Sequence, residues 1–249
     1  MSGASRPSED AVALVTGAGG GIGAAIAGAL AAIGCRVVCA GRRLDRLNAV
    51  VGPLGDAALA AELDVTDPAS VESLAGRLPP AWREVEIVVN NAGHDRGGRR
   101  PFHEGDAATW AGIIDTNVTG MVRVTRAFID GMRSRDRGHI VNIGSIAGIR
   151  PYATGTLYAA SKHAVHGFSE SLRLDYVNSG IRVTEILPGM VKTEFAYHRS
   201  GDPEQARRFY EDFGTCLMPE DVARAVVYAV QQPAHVAVSQ ITVVPISQR

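Results

Sequence analysis

Residues 11–23 read AVALVTGAGGGIG, an apolar run that passes directly into a glycine-rich turn. The run from Ala11 to Thr16 carries no charge, which is typical of a parallel strand covered on both faces. The turn leads into the Ala-rich stretch Gly21–Ile33, which has the length and composition of a helix. A strand, a tight turn and a helix in this order predict the opening unit of an α/β domain.

The same alternation continues almost to the C-terminus. It predicts right-handed crossovers and one doubly wound parallel sheet of about seven strands with helices on both faces. No composition break divides the chain, so we expect a single domain over residues 11–249. The predicted strands are Ala11–Thr16, Arg36–Ala40, Ala58–Leu63, Val85–Asn90, His139–Ile143, Arg182–Leu187 and Gln240–Val244, and the longer predicted helices are Gly21–Ile33, Pro68–Arg77, Ala107–Arg133, Tyr158–Ser179 and Pro219–Gln231.

Two segments stand outside this alternation. Residues 1–10 are polar, and we expect them to form a flexible N-terminal tail. Residues 193–216 carry charges, aromatic side chains and a proline without a strand pattern. Because a connection of this length is usually functional and this one follows the sixth strand, we expect a substrate lid with helical pieces over the carboxyl ends of the strands.

The bulk composition excludes several classes of partner. The chain has 25 lysines and arginines against 26 aspartates and glutamates, without runs of like charge, which argues against nucleic-acid or acidic-membrane binding. No apolar stretch approaches the roughly 20 residues that cross a bilayer. The three cysteines show no metal-ligand spacing and no secretory signal precedes them, so we expect no metal and a reducing cytoplasm. The expected partner is a small molecule.

The glycine-rich turn is suited to a bound diphosphate. Glycines let backbone N–H groups approach phosphate oxygens, and the positive end of the following helix favours an anion. The candidate cofactor-binding residues here are Gly17, Gly21, Ile22 and Gly23. The alternative is a turn that is merely tight, but its position after the first strand favours the nucleotide.

The end of the second strand bears on the choice of nucleotide. An acidic residue there would accept a hydrogen bond from the ribose 2′-hydroxyl of NAD. The strand instead ends in Arg42 and Arg43, whose guanidiniums suit the 2′-phosphate of NADP. The sequence therefore predicts NADP(H) in preference to NAD(H). Asp45 keeps the alternative open, since its carboxylate is close enough in sequence to turn toward the ribose.

Further cofactor contacts are expected where the later strands end. The carboxylate of Asp64, beside Val65, could accept from the adenine amino group. Asn91 follows the fourth strand, where it either contacts the cofactor or braces the strand ends. The turn after the sixth strand could run alongside the amide group of the nicotinamide. Its candidate residues are Pro188, Gly189, Val191 and Thr193.

Tyr158 and Lys162 lie one turn apart on a predicted helix, so their side chains share a face. A phenol with a pKa of about 10 is a poor base at neutral pH, and a nearby ammonium lowers that pKa by stabilising the phenolate. Lowering the pKa by about two or three units would need both Lys162 and the positive nicotinamide ring. Ser145 ends the fifth strand and can present a hydroxyl to a substrate oxygen. Asn117 lies inside a predicted helix, where asparagine is unfavourable unless its side chain has a task.

These motifs together resemble the short-chain dehydrogenase/reductase family in order and spacing over almost the whole chain. The matching positions are Thr16–Gly23, Asn90–Gly93, Asn117, Ser145, Tyr158, Lys162 and Pro188–Thr193. The resemblance implies a Rossmann-type sheet, a homotetramer, and a catalytic tetrad in which Tyr158 is the general acid/base and Ser145 orients the carbonyl. It further implies that Lys162 lowers the pKa of Tyr158 and binds the nicotinamide ribose, and that Asn117 holds a water that relays the proton.

Details outside the tetrad are similar to the bacterial NADP-dependent 3-hydroxy acid (serine) dehydrogenase branch of that family. They are Gly41–Leu44, Leu78–Trp82, Thr193–Phe195, Gln232–His235 and Pro245–Gln248. This similarity implies hydride transfer between a nicotinamide and a 3-hydroxy acid or β-hydroxy amino acid. The stretch His94–Pro101 departs from the branch because it is longer and more basic, and it borders the expected mouth of the site.

An acidic substrate needs a cationic partner. Arg199, in the expected lid, is the first candidate and Arg150, after Ser145, is the second, although Arg199 could equally be a solvated charge. Two other functions stay open. One is a general carbonyl reductase acting on neutral ketones, and the other is a non-catalytic nicotinamide-sensing regulatory protein, which the complete tetrad disfavours.

Overall fold

Seven apolar runs form parallel strands in the computed structural model, which describes residues 10–248. They are β1 Val12–Thr16, β2 Arg36–Gly41, β3 Ala58–Glu62, β4 Val85–Asn90, β5 Gly138–Ile143, β6 Ile181–Pro188 and β7 Gln240–Val243. Their order in the sheet is β3-β2-β1-β4-β5-β6-β7, so the winding reverses between β1 and β4. The doubly wound, Rossmann-type sheet is confirmed, and each strand end lies within one residue of its predicted position.

Helices cover both faces of this sheet. Within the described range they are α1 Gly21–Ala32, α2 Leu44–Val51, α3 Pro68–Arg77, α4 Ala107–Ile114, α5 Met121–Ser134, α6 Thr156–Asp175, α7 Phe195–Ser200, α8 Pro203–Phe213 and α9 Pro219–Val230. Neighbouring residues of β1 point into two separate cores: Val15 packs with Ile26 and Val226, whereas Leu14 packs with Leu74 and residues of α5. A strand buried on both faces needs apolar residues at successive positions, which explains its unbroken apolar sequence.

One predicted helix, Ala107–Arg133, is wrong as a continuous α-helix. A π-helical turn over Asp115–Gly120 separates α4 from α5. Asn117 is buried inside this turn, and Gly120 passes so close to Val65 that a Cβ on Gly120 would lie 2.7 Å from a Val65 methyl carbon. A π-turn of this kind often marks a functional position in a helix.

Two smaller differences concern α6 and α2. The predicted helix Tyr158–Ser179 begins earlier, at Thr156, and ends at Asp175, after which the chain turns. The helix α2 was not among the longer predicted helices. Residues 193–216 contain α7 and α8, which are helical pieces as expected of this segment.

The predicted N-terminal tail lies outside the described residues except for Asp10. The backbone oxygen of Asp10 accepts hydrogen bonds from the Arg36 side chain at 3.3 Å. Among the described residues, none of the helices combines the length and apolar character required to span a bilayer.

Two leucines of α2 provide a matched test of the core. Leu47 is fully buried, whereas Leu44 is 44% exposed. We expect Leu47→Ala to lower the free energy of unfolding by about 2–5 kcal/mol, because it removes buried methyl groups and leaves a cavity. Leu44→Ala should change it by less than about 0.5 kcal/mol. Urea unfolding of the cofactor-free protein measures both values, and equal losses would contradict the assigned packing.

Candidate active site

The carboxyl ends of the strands open into one cavity of about 1210 Å³. Its walls come from the glycine turn, the ends of β2 and β4–β6, the start of α6, and α7 with α8. Ligands of open α/β sheets bind at this edge, near the point where the winding reverses. Every predicted cofactor, catalytic and substrate residue lines the cavity except Gly23 and Asn117, which lie behind its wall.

The glycine turn is shaped to admit a diphosphate. Gly21 has a φ of +53°, which a residue with a side chain rarely adopts, and α1 begins there with no acidic residue in its first turn. Gly23 lets α1 approach the turn, since a Cβ there would lie 2.4 Å from the backbone oxygen of Gly17. These observations fit the nucleotide expected from the sequence.

Asn91 braces this turn, which was one of its two expected roles. Its Nδ2 donates to the backbone oxygens of Thr16, at 2.9 Å, and Gly17, at 3.2 Å. In return the Thr16 hydroxyl oxygen accepts from the backbone N–H groups of Asn91 and Ala92, both at 3.0 Å. The ends of β1 and β4 are therefore tied together directly beneath the turn.

One end of the cavity is strongly basic. Arg42 and Arg43 line it as predicted, and Arg46 from the first turn of α2 adds a third guanidinium that the sequence analysis missed. Arg46 pairs with Glu194 across the cavity at 3.5 Å, with both side chains about half exposed. Asp45 is exposed and does not line the cavity. This end fits a 2′-phosphate better than a free ribose hydroxyl.

Asp64 and Val65 lie beside this basic end. The Oδ1 atom of Asp64 accepts from the backbone N–H and the hydroxyl of Thr66, at 2.9 and 2.7 Å. Although burial opposes ionisation, these hydrogen bonds and the charge of Arg42 hold the pKa of Asp64 below its usual value. The carboxylate is therefore ionised at neutral pH and can accept from a nucleotide base.

Tyr158 and Lys162 share one face of α6, as predicted, and meet Ser145 at the end of β5. The Lys162 Nζ lies 5.8 Å from the centre of the Tyr158 ring and donates to the backbone oxygen of Ile143 at 2.7 Å. The Ser145 side chain hydrogen-bonds Tyr158 and also accepts from the Ala147 backbone N–H at 3.1 Å. A phenol, a hydroxyl and an ammonium thus converge on one point of the cavity.

Burial controls the ionisation of these groups in the protein without ligand. Burial raises the pKa of Tyr158 well above its usual value, and the Ser145 hydrogen bond opposes this only in part. Burial also lowers the pKa of Lys162 to about 8, against the opposing charge of Glu185. The predicted lowering of the Tyr158 pKa depends on the positive nicotinamide ring as well as on Lys162, so it stays a prediction for the protein with bound cofactor. In the protein without ligand, the Lys162 ammonium donates to the Ile143 carbonyl. Desolvation is the largest influence on the pKa of Tyr158.

Asn117 connects three parts of the site through its side chain. Its Nδ2 donates to the His94 backbone oxygen and to the Ser161 hydroxyl, both at 3.0 Å, and its Oδ1 accepts from the His94 N–H at 2.9 Å. It thereby fixes the loop after β4 against α6. The Asn117 side chain therefore has a structural task, which is to hold the loop after β4 and α6 together.

Glu185 of β6 is a buried carboxylate that the sequence analysis did not single out. Its Oε2 contacts the His166 Nδ1 at 2.6 Å, while its Oε1 is buried without a hydrogen bond. A Cβ on Gly144 would lie 2.3 Å from that Oε1, so the carboxylate sits directly under the residue before Ser145. A glutamate in a β-branched strand gives no sign of this contact, which only the pairing of β5 with β6 creates.

The two candidate substrate residues differ in their surroundings. Arg150 is exposed at the rim of the cavity. Arg199 is nearly buried, and its Nε pairs with Asp95 Oδ2 at 2.8 Å, so it is not the solvated charge of the alternative reading. Its guanidinium stacks on Phe195, with 5.1 Å from Cζ to the ring centre. Asp95 was not predicted as its partner.

No metal centre accompanies these groups in residues 10–248, since no set of three or more His, Cys, Asp or Glu side chains there is arranged to hold an ion.

Comparison with known proteins agrees with this geometry. The family model for short chain dehydrogenases matches residues 11–203. The NADP-dependent 3-hydroxy acid dehydrogenase YdfG of Salmonella typhi is 43% identical over 239 residues, covering 95% of this chain and 96% of the relative. Sulfoacetaldehyde reductase 2 of Chromohalobacter salexigens is 39% identical over 241 residues, covering 95% of each chain.

A solved structure, the closed form of serine dehydrogenase complexed with NADP+, superposes with a TM-score of 0.92 at 41% identity, covering 96% of both chains. The family resemblance found in the sequence is thereby confirmed. The chain belongs to the short-chain dehydrogenase/reductase family and is an oxidoreductase.

Proposed function

We propose that this enzyme transfers hydride between NADP(H) and a short 3-hydroxy acid or its 3-oxo counterpart, β-hydroxy amino acids included. The observation that carries the proposal is that Tyr158 and Arg199 contact the same ring. Phe195 lies edge-on to Tyr158, with 5.7 Å between ring centres, and under the Arg199 guanidinium at 5.1 Å. A substrate with its hydroxyl at the phenol can therefore place a nearby acidic group at the arginine. Relatives that act on 3-hydroxy acids support this reading.

The residues of the chain manage the proton and the substrate oxygen. In the oxidative direction, Tyr158 Oη accepts the proton of the substrate hydroxyl while Ser145 Oγ hydrogen-bonds the same oxygen. Lys162 supplies an ammonium beside the phenol, and Asn117 keeps the neighbouring loop and α6 in place. When bound, the cofactor supplies the hydride acceptor and a positive charge that the buried phenol lacks in the free protein.

The basic end of the cavity supports NADP(H). We propose that the pair Arg42 and Arg43 binds the 2′-phosphate, with Arg46 alongside, and that the glycine turn binds the diphosphate. We further propose Asp64 and Val65 at the adenine, and Thr193 with Pro188, Gly189 and Val191 at the nicotinamide. The solved relative that is complexed with NADP+ supports NADP(H) as the cofactor.

We also propose a cytoplasmic homotetramer. Apolar side chains are exposed on or just after α5 and α6. These helices match those that pack subunits together in the family that the chain resembles, so the exposed side chains support the assembly. They are Val122 of α5, Leu174 of α6 and Val177, which are 39%, 65% and 58% exposed. Burying such side chains against a second copy would remove them from water.

The cofactor assignment predicts a change in nucleotide preference. The double variant Arg42→Gln, Arg43→Gln removes two charge-assisted hydrogen-bond donors, so KM for NADP+ should rise by about 10-fold or more. KM for NAD+ should change by less than about 3-fold, because NAD+ has no 2′-phosphate. Steady-state kinetics with both nucleotides measure the ratio. An equal rise for the two nucleotides would remove the arginines from this role.

The substrate assignment predicts a split between acidic and neutral compounds. Wild-type enzyme should oxidise L-serine or 3-hydroxypropionate more efficiently than a neutral secondary alcohol. Arg199→Ala should raise KM for the acids by about 10–100-fold and leave the neutral alcohol within about 3-fold, since only the acids lose a charged partner. Tyr158→Phe should abolish turnover of all of them while NADPH still binds.

Two results would contradict this assignment. A wild-type preference for neutral ketones, with no effect of Arg199→Ala, would identify a general carbonyl reductase. Tight NADPH binding with no activity that depends on Tyr158 would identify a nicotinamide-sensing protein.

The buried carboxylate of Glu185 predicts a pH effect. Its charge favours the ammonium of Lys162, so Glu185→Gln should lower the pKa of Lys162 further below about 8. The alkaline limb of the pH profile of kcat/KM for ketone reduction should then move to lower pH. His166→Gln is the matched control because it changes the partner of Glu185 but keeps the carboxylate, and its limb should stay near that of the wild type. An unshifted limb in Glu185→Gln would exclude the coupling.

A further inference from the structure

The basic loop 94–101 reaches the substrate end of the cavity through Arg99. The Arg99 Cζ lies 4.4 Å from the centre of the Tyr152 ring and 5.3 Å from that of Phe209. Arg199 contacts the same Phe209 ring, at 5.2 Å. Two guanidiniums therefore share one aromatic ring, and both line the cavity. The unusual loop is thus part of the site.

Asp95 holds Arg199 from behind. Asp95 is buried and does not line the cavity. Its Oδ2 forms an ion pair with the Nε of Arg199 at 2.8 Å. A guanidinium has five N–H donors in a fixed fork, so the two Nη groups of Arg199 stay available. Among the described residues no hydrogen bond or ion pair to those Nη groups is present, and Arg99 has no carboxylate within ion-pair distance.

The charges of this cluster do not cancel. Burial raises the pKa of Asp95 to about 6 against the opposing charges of Arg199 and Arg99, so the carboxylate is ionised at neutral pH. Two guanidiniums against one carboxylate leave a single excess positive charge. The Arg199 side chain is 11% exposed, which strengthens its attraction for an anion, whereas Arg99 is exposed and reaches the cavity from the solvent side.

We propose that Arg99 is a second anion-binding residue, so that Arg99 and Arg199 together hold a singly charged oxyanion of the substrate, with Asp95 as the positioning residue that orients Arg199. The ligand chemistry is a carboxylate or a sulfonate, both of which offer coplanar or fanned oxygens to two guanidiniums. This inference rests on the proposed function, since it adds a second arginine to the acid site of the same substrate.

The test compares Arg99→Gln with the matched control Arg100→Gln. Arg100 is the next residue in the loop and is exposed like Arg99, but it does not line the cavity. The probes are 3-hydroxypropionate, its sulfonate analogue 2-hydroxyethanesulfonate, and neutral 2-butanol, each oxidised with NADP+. Arg99→Gln should raise KM for both anions by about 10-fold or more. Its kcat, its kinetics with 2-butanol and its Kd for NADPH should all stay within about 2-fold of the wild-type values. Arg99→Lys should recover part of the loss for the anions, and Arg100→Gln should match wild type.

The role of Asp95 has its own readout. Asp95→Asn should raise KM for the anions without lowering kcat, because it loosens Arg199 and leaves the reacting groups in place. In an Arg199→Ala background the same change should add little, since its effect passes through Arg199. An equal effect in both backgrounds, or a fall in kcat for 2-butanol, would assign Asp95 a merely structural role.

The outcomes separate this inference from the proposed function. If Arg199→Ala raises KM for the anions but Arg99→Gln does not, the second anion-binding residue is overturned and the acid site stands. If wild type shows no preference for the anions and neither arginine matters, the proposed substrate class itself fails. If only the carboxylate responds to Arg99→Gln, the sulfonate is excluded from the inferred class.

Discussion

The parallel pairing of the central strands is the constraint on which the site depends. Asn90 of β4 aligns with Asn142 of β5, and Ile143 aligns with Ile186 of β6, so these strands end at one edge. Buried amides hold the alignment: Asn90 Nδ2 donates to Asn142 Oδ1 at 2.8 Å, and Asn142 Nδ2 donates to the Ser169 hydroxyl of α6 at 2.8 Å. Because such buried hydrogen bonds are costly to break, the helix that carries the tyrosine and lysine is fixed relative to the sheet.

This rigid frame holds the side chains of Lys162 and Tyr158, whose charged forms are both disfavoured by burial. Lys162 is kept as a usable ammonium by one backbone carbonyl and by the charge of Glu185, both of which belong to the sheet. Tyr158 lacks a comparable compensation and stays protonated in the free protein. In the proposed mechanism, the positive charge that arrives with the cofactor compensates for this burial of the phenol.

The sequence was sufficient for features that local patterns determine. Strand positions followed from apolar runs bounded by glycine and polar residues, and the spacing of Tyr158 and Lys162 guaranteed a shared helical face. It was insufficient where distant segments meet. The π-turn around Asn117 exists because that side chain bonds to a loop and to another helix, and a helical pattern contains no trace of either contact. The pairing of Arg199 with Asp95, and the desolvation of the phenol, likewise arise only from tertiary packing.

The distribution of arginines along the cavity bears on the proposal that two anionic reactants bind at its opposite ends. The chain carries a net charge of −1, yet arginines line both ends of the cavity, so the attraction is local. At the nucleotide end, Glu194 pairs with Arg46 at 3.5 Å, whereas no ion pair of Arg42 or Arg43 is present among the described residues, which suits a doubly charged phosphate monoester. At the substrate end, Asp95 cancels one of the two guanidinium charges. In the proposed complex, the 2′-phosphate meets the arginines of the first end, and a monoanionic substrate meets the single excess positive charge of the second. The buried Asp95 would then set the charge of the substrate end without touching either reactant.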